Sequence, residues 1–376
     1  MSRGKSKSTL GRIARFLASP EVFFYTAIWL LVLLVVGTIT QKWDGLYLAQ
    51  QKYFSSWFTW GILPGGRLAM TVMFINLTFK LIFNSPWRFS RIGTLITHSG
   101  MLLLLLGGFF TAYFSNEGSM PIPEGQTSSY YQDYHELEFA VIDKSPTDYD
   151  AVTVFSKEYI RRGSVISHEA FPFSIRVRSF SRNVDLVQRE STAGEGFHGL
   201  ARRYEMVSKE LENEFSRNMA GMILDLQGLD DGADGAYLVF QFMQVPQTLR
   251  AGGKEYAIEL RNKRYQLPFS IELIDFTKKV HPGTQTASHY SSLVNVVDQG
   301  LKREVLISMN EPLRNLEYTF YQASFIEDGP DETTVLAVVQ NVGRNFPYVS
   351  SIIMCIGLLF HLILQVPKLL RRSKRA

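Results

Sequence analysis

The apolar positions of this chain are gathered at its two ends. The first run, Val22 to Ile39, reads VFFYTAIWLLVLLVVGTI and contains no charge. About 18 residues at 1.5 Å each reach about 27 Å, enough to cross the hydrocarbon core of a bilayer. A second run, Leu68 to Phe83, begins after Pro64-Gly65-Gly66, stops at Ser85-Pro86 and contains Asn76 and Lys80. Lys80 lies near one end, where its ammonium can snorkel to the interface. The third, Gly93 to Phe114, includes MLLLLLGGFF and a single ionisable residue, His98; the fourth, Pro347 to Val366, holds Cys355 and His361 and ends at Pro367. The pattern predicts a multi-pass helical membrane protein with spans at 22–39, 68–83, 93–114 and 347–366.

Between Ser115 and Phe346 the period changes from helix-like runs to alternation. ELEFAVI from Glu136, FSIRVRSF from Phe173, YLVFQFM from Tyr237, FSIELIDF from Phe269, SSLVNVV from Ser291 and EYTFYQASF from Glu317 each place β-branched or aromatic residues on one face. They predict a large, mainly β domain over 115–346, an antiparallel sandwich or open barrel. One stretch differs: Tyr204, Val207, Leu211 and Phe215 fall at helical spacing and predict a helix over Tyr204 to Met219.

Charge gives the spans a direction. The chain has 376 residues and a net charge of +4. Lysine and arginine concentrate in the N-terminal segment 1–21, in the short connection after the second span (Lys80, Arg88, Arg91) and in the tail 367–376. With four spans these segments share one side, which the positive-inside rule makes the cytoplasm. Thr40-Gln41-Lys42-Trp43 offers no small-residue cleavage site, so the first span is expected to stay as an anchor. The β domain then faces the extracytoplasmic side, the periplasm of a bacterium, and its 23 basic and 33 acidic residues give it a net charge of −10. A basic nucleic-acid surface is not expected.

One cysteine excludes an internal disulfide, a Cys-x-x-Cys redox pair, a cysteine zinc site and a covalently attached c-type haem. No Gly-x-Ser-x-Gly elbow occurs and no catalytic triad can be assigned. Ionisable groups within spans are costly, so His98 and His361 are the first candidates for function. Each sits about 7.5 Å in from the cytoplasmic end of its span, on helices running in opposite directions. Paired imidazoles at one depth can hold haem; hydrogen bonding to a backbone carbonyl or to Thr94, Thr97 or Ser99 serves them equally well. His135, His168, His198, His281 and His289 lack metal-ligand spacing and read as solvated loop residues. Asp230, Asp231 and Asp234 lack the register of a calcium loop. The aromatic cluster Trp43, Tyr47, Tyr53, Phe54, Trp57, Phe58 and Trp60 in the loop 40–67 reads as an interfacial belt or as a platform for a flat ligand or partner.

Several stretches, taken in order, resemble one family. They are GTITQKWDGLYLAQQKYFSSWF, LPGGRLAMTVMFINLTFKLIFN, THSGMLLLLLGGFFTAYFSNEGSMPIPEGQ, LPFSIELIDFTKKVHPGT, HYSSLVNVVDQG with VLISMNEPL, and EYTFYQASF. Together they are similar to the ResB/CcsB proteins of system II cytochrome c maturation, from about Val22 to Val366; the section 143–266 carries little of the likeness. The resemblance implies a subunit of a holocytochrome c synthase (haem lyase) complex in the bacterial cytoplasmic membrane. It would work with a ResC/CcsA-type partner bearing a tryptophan-rich haem segment, carry haem b across the membrane and help attach it to Cys-x-x-Cys-His sites of apocytochrome c. The family's intramembrane histidine corresponds to His98, as a ligand of the haem iron. No family role attaches to His361, which stays a possible second ligand, and Arg88 and Arg91 are possible propionate contacts. The tryptophan-rich segment and the thiol-reducing function are expected on other proteins. Two alternatives stand beside this reading: a haem-free chaperone that holds apocytochrome, and a stand-alone b-type electron carrier using His98 with His361.

Overall fold

The computed structural model describes residues 9–146, 149–189, 196–284, 287–327 and 332–373. The chain divides into two compact units, Met1–Ser115 with Gln340–Ala376, and Asn116–Val339.

The first unit is helical: α1 (Thr9–Leu17), α2 (Pro20–Ala49), α3 (Gly66–Phe83), α4 (Ile92–Phe114) and α5 (Phe346–Ser373), with a two-residue hairpin of β1 (Phe58–Thr59) and β2 (Leu63–Pro64) before α3. Four of these helices are long and apolar enough to cross a membrane. Helix α2 is started by Pro20 at its first turn and by Ser19, whose hydroxyl accepts from the Val22 N–H. It runs on past Ile39 to Ala49, with a kink at Gly45 where φ is 75°. The extension follows from packing: Ala49 and Tyr53, in the π-turn that ends the helix, bury against Leu33. Asn76, the polar residue of α3, is buried and satisfied. Its Nδ2 donates to Leu17 O at 2.6 Å and Ser19 O at 2.9 Å, taking carbonyls left over where α1 ends.

The second unit is built on antiparallel strands. They are β3 (Ser115–Pro123), β4 (Thr127–Asp143), β5 (Ala151–Phe155), β6 (Val165–Ile166), β7 (Ser174–Ser181), β8 (Val184–Gln188), β9 (Tyr204–Ser208), β10 (Gly221–Gln227) and β11 (Gly235–Phe240), then β12 (Gln247–Ala251), β13 (Lys254–Val280), β14 (Ala287–Asp298), β15 (Leu301–Ser308), β16 (Leu313–Asn315), β17 (Tyr318–Glu327) and β18 (Glu332–Asn341). They enclose two separate cores. In the first lobe, β5, the later half of β4, the early half of β13 and β12 form one sheet, and β6-β7-β10-β11 the other. Phe139, Val141 and Ile258 of one meet Val177, Met222, Leu224 and Val239 of the other. In the second lobe, β15-β14-β13-β4-β3-β18-β17-β16 surround Ile122, Ile271, Leu273, Val294, Phe320 and Val338. Alternation in the sequence thus lands on the two inner faces of a sandwich and on the inside of a curled sheet.

Strands β4 and β13 belong to both lobes, and they bend together at the join. Asp133 turns β4 by accepting the N–H groups of His135 and Glu136 at 2.7 and 2.8 Å, and Asn262 Nδ2 donates to Asp133 O at 2.6 Å. Beside the bend, β13 slips register between Asn262 and Arg264. There Arg261 is held by Glu138 at 2.8 Å and Glu259 at 2.9 Å, with Arg261 and Glu138 almost excluded from solvent.

The helix expected over Tyr204 to Met219 is absent. Tyr204–Ser208 is strand β9, paired with β8, and only Phe215–Arg217 makes a single 3₁₀ turn. Val207 and Leu211 are exposed, so their helical spacing has no core to meet. Side-chain amides take the backbone groups a helix would have paired: Asn183 Nδ2 donates to Glu210 O, and Asn218 Oδ1 accepts from Glu212 N.

Replacing Arg261 strips buried Glu138 of its cation and leaves Glu259 only Arg264, at 3.9 Å. Arg261→Met is expected to destabilise the β domain by about 3 kcal/mol or more, read as a lower midpoint in chemical unfolding.

Candidate functional site

Helices α4 and α5 pack antiparallel with their backbones touching. The contact is set by small residues seven apart on each helix: Gly93, Gly100 and Gly107 on α4, and Gly343 just before α5 with Ser350 and Gly357 within it. A Cβ on Gly93 would run into the backbone of His361 and Gly357, one on Gly100 into Met354 and Ser350, one on Gly107 into Phe346. Reciprocally, a Cβ on Gly357 would meet Thr97 N and Gly93 O, and one on Gly343 would meet Thr111. With no hydrophobic drive between helices in lipid, close backbone approach of this kind is how such a pair gains its dispersion contacts.

This seam places both intramembrane histidines against one residue, Thr94. His98 Nδ1 lies 2.7 Å from Thr94 O, and Thr94 Oγ1 lies 3.2 Å from His361 Nδ1. A carbonyl only accepts, so His98 carries its proton on Nδ1, and in the neutral ring Nε2 holds the lone pair. Among the described residues Nε2 of His98 has no protein partner. A ring oriented through Nδ1–H to a carbonyl, with Nε2 presented, is the arrangement of an iron-ligating imidazole; the residue therefore fits an axial ligand.

The same geometry separates the two histidines in direction. At about 100° per residue, His98 lies about 140° round α4 from Gly93 and so faces away from α5, whereas His361 lies on the seam itself. Arg91 falls within about 20° of His98 on the same face, one turn below Thr94. Arg91 caps the start of α4 and Arg88 stands in the extended segment before it; both are exposed, and neither is paired with a carboxylate among the described residues. Cys355 is an exposed thiol on α5 with no metal-binding group around it among the described residues.

The aromatic cluster of 40–67 separates into two sets. Tyr53 is buried and Phe54 fills the spaces left by Gly37 and Gly66. Trp43, Trp57, Phe58 and Trp60 stay exposed, which suits an interfacial belt and a platform for a ligand or partner alike.

The histidines of the β domain are not all loop residues. His289 lies in β14 opposite Lys279, and half-buried His135 packs edge-on to Phe215 at 4.9 Å. His198 stacks on Tyr237, and the ring of His168 sits beside Phe155 and Phe171. Asp230 accepts from the N–H groups of Gly252 and Gly253, and Asp234 from Gly228 and Leu229, so both carboxylates hold turns.

What the fold defines is a four-span membrane protein with a large, bilobed β domain. The model of the ResB-like family matches residues 87–195 and 240–335, and the chain belongs to that family. The match includes Arg88, Arg91 and His98; His361 and residues 196–239 lie outside it. Protein NrfI of Wolinella succinogenes is 26% identical over 302 residues, which are 78% of this chain and 29% of that protein. The chain thus spans less than a third of the relative's length.

Gly100→Leu is expected to force the helices apart and cost about 1–3 kcal/mol, seen as a lower thermal midpoint in detergent. Gly108→Leu, at a glycine with open space around it, is expected to leave the midpoint unchanged. Burial pushes the His135 imidazole below its usual range, with Asp133 opposing and Arg182 assisting. Its folded form therefore resists protonation, and stability present above about pH 6.5 falls as the unfolded chain gains a proton on acidification. His135→Gln should flatten the loss of thermal midpoint between about pH 7 and pH 5.

Proposed function

We propose that this chain is a haem-handling subunit of cytochrome c biogenesis, with haem b as cargo and His98 as its intramembrane ligand. The observation that carries the proposal is the imidazole itself: Nδ1 is committed to Thr94 O at 2.7 Å, and the helical period sets the residue on the side of α4 turned from α5. Membership of the ResB-like family supports the pathway. The relative in W. succinogenes extends far beyond the matched portion, and in this reading the chain works with a ResC/CcsA-type partner.

In this reading the termini and the Arg88–Arg91 connection lie in the cytoplasm and the β domain on the opposite side. Haem enters from the inner leaflet, His98 takes the iron, and Arg91, with Arg88, neutralises a propionate on the same helix face. The partner supplies the second ligand and the outer site. There each reduced apocytochrome thiol adds across a vinyl C=C, sulfur to one carbon and proton to the other. No residue of this chain performs the proton transfer; a separate reductant keeps the thiols reduced, and the β domain serves the apocytochrome or the partner.

The stand-alone electron carrier has one observation in its favour, the shared contact of His98 and His361 with Thr94. Against it stands the seam: with Gly93 against His361 and Gly357, a porphyrin has no room between the two rings. The visible spectrum of the purified protein separates the readings. Haem is expected only when the partner is co-expressed, to be lost in His98→Ala together with at least about tenfold of cytochrome c maturation, and to persist in His361→Ala. Haem held by the chain alone and requiring both histidines would make it an electron carrier; normal haem content and maturation in His98→Ala would overturn the site.

A further inference from the structure

The β domain carries a net charge of −10, yet one cleft in it is lined by cations. Lys157, Arg161, Arg162 and Arg182 surround a space of about 350 Å³ whose floor is Leu137, Ile160 and Phe180. Ile160 belongs to the core of the first lobe, and Leu137 and Phe180 pack against it, so the floor is fixed apolar surface. Lys157 is paired with Glu136 at 2.9 Å. Arg182 reaches only the His135 carbonyl, at 3.5 Å, and among the described residues no carboxylate pairs with Arg161, Arg162 or Arg182. Clustered guanidinium groups without counter-charges repel one another, and an anion in their midst relieves that repulsion.

The cleft lies where a sheet edge ends. Strand β5 pairs with β4 on one side, from Ala151↔Asp143 to Phe155↔Phe139. Continued by two residues, that register sets Lys157 opposite Leu137, both of which line the cleft. On its other side β5 has no strand partner among the described residues. The edge itself, Ala151–Phe155, carries no charge and no proline, and Val152 and Val154 are 44% and 51% exposed. An uncharged, unprotected edge is a template for an added strand.

We propose that the free edge of β5 and the arginine cleft at its end form one docking site for an extended acidic peptide segment of a partner protein. The peptide pairs its backbone with β5, sets apolar side chains beside Val152 and Val154, and delivers carboxylates to Arg161, Arg162 and Arg182. The overall negative charge of the domain disfavours acidic chains elsewhere, so charge complementarity confines such a segment to this cleft. The proposal stands on the β domain alone and is independent of haem at His98.

The test uses the full chain in detergent and fluorescein-labelled peptides of alternating valine and threonine with two glutamates at one end, in both sequence directions. Saturable binding is expected for at least one direction, weakening as salt rises. The double variant Arg161→Glu/Arg162→Glu, whose side chains are exposed, is expected to lose at least about tenfold in affinity with an unchanged far-ultraviolet spectrum. A peptide methylated at alternate backbone nitrogens keeps its charges but cannot pair with the edge, and it is expected to bind at least about tenfold more weakly. Absence of saturable binding, equal binding of a lysine-for-glutamate peptide, or full affinity in the double variant overturns the proposal. Undiminished binding of the methylated peptide, displaced by citrate, overturns it in favour of a cleft for small anions.

Discussion

The backbone contact between α4 and α5 fixes the geometry on which the intramembrane site depends. Gly93 opposes Gly357, Gly100 opposes Ser350 and Gly107 opposes Gly343, each pair one heptad further along an antiparallel seam. Two helices joined this way have a set register, and register decides which side chain of α5 meets Thr94. Were α5 to slide by one turn, Gly357 or Leu364 would replace His361 at that point. The threonine then has a double part: its carbonyl holds the His98 ring from within α4, and its hydroxyl holds α5 through His361. Orientation of the His98 ring is thereby coupled to helix packing.

The topology was legible from hydropathy because membrane spans must satisfy their own backbone and therefore announce themselves as long uncharged runs. Polar ends were less so: α2 continues through Thr40, Gln41 and Lys42 because helical hydrogen bonds persist beyond the hydrocarbon. Alternation marks β4, β7, β11, β13, β14 and β17, whereas β10 and β18 bury one face as well and are not among the runs it picks out. Helical spacing over Tyr204 to Met219 is not sufficient for a helix, because Asn183 and Asn218 engage the backbone of that stretch. His98 could be singled out by the cost of its burial. Thr94 is one of three neighbouring hydroxyls the sequence offers the histidines, and its selection over Thr97 and Ser99 depends on a helix more than two hundred residues away. The heptad spacing of Gly93, Gly100 and Gly107 was a readable signal of a packed face, and with it the direction of His98 follows from arithmetic.

The two halves of the β domain differ in how they relate to the family. The matched residues 87–195 and 240–335 contain both long strands and most of the second lobe. The unmatched residues 196–239 contain β10 and nearly all of β11, which contribute Met222, Leu224, Leu226 and Val239 to the first core. The framework is therefore the family's, while half of one sandwich face is where this chain departs from the common pattern. It lies within the section 143–266 that carries little of the likeness in the sequence, the rest of which the family match covers.

The sharing of β4 and β13 between the lobes has a consequence for how the domain comes apart. Each lobe contributes hydrogen bonds to only part of a strand, and the remainder of the same strand is central to its neighbour. Melting either core would free one half of each long strand while its other half stays central to the neighbouring lobe, putting strain on the bend between them. The lobes cannot behave as beads on a string; they form a single cooperative folding unit, whose amide protons along β4 and β13 exchange only through complete opening.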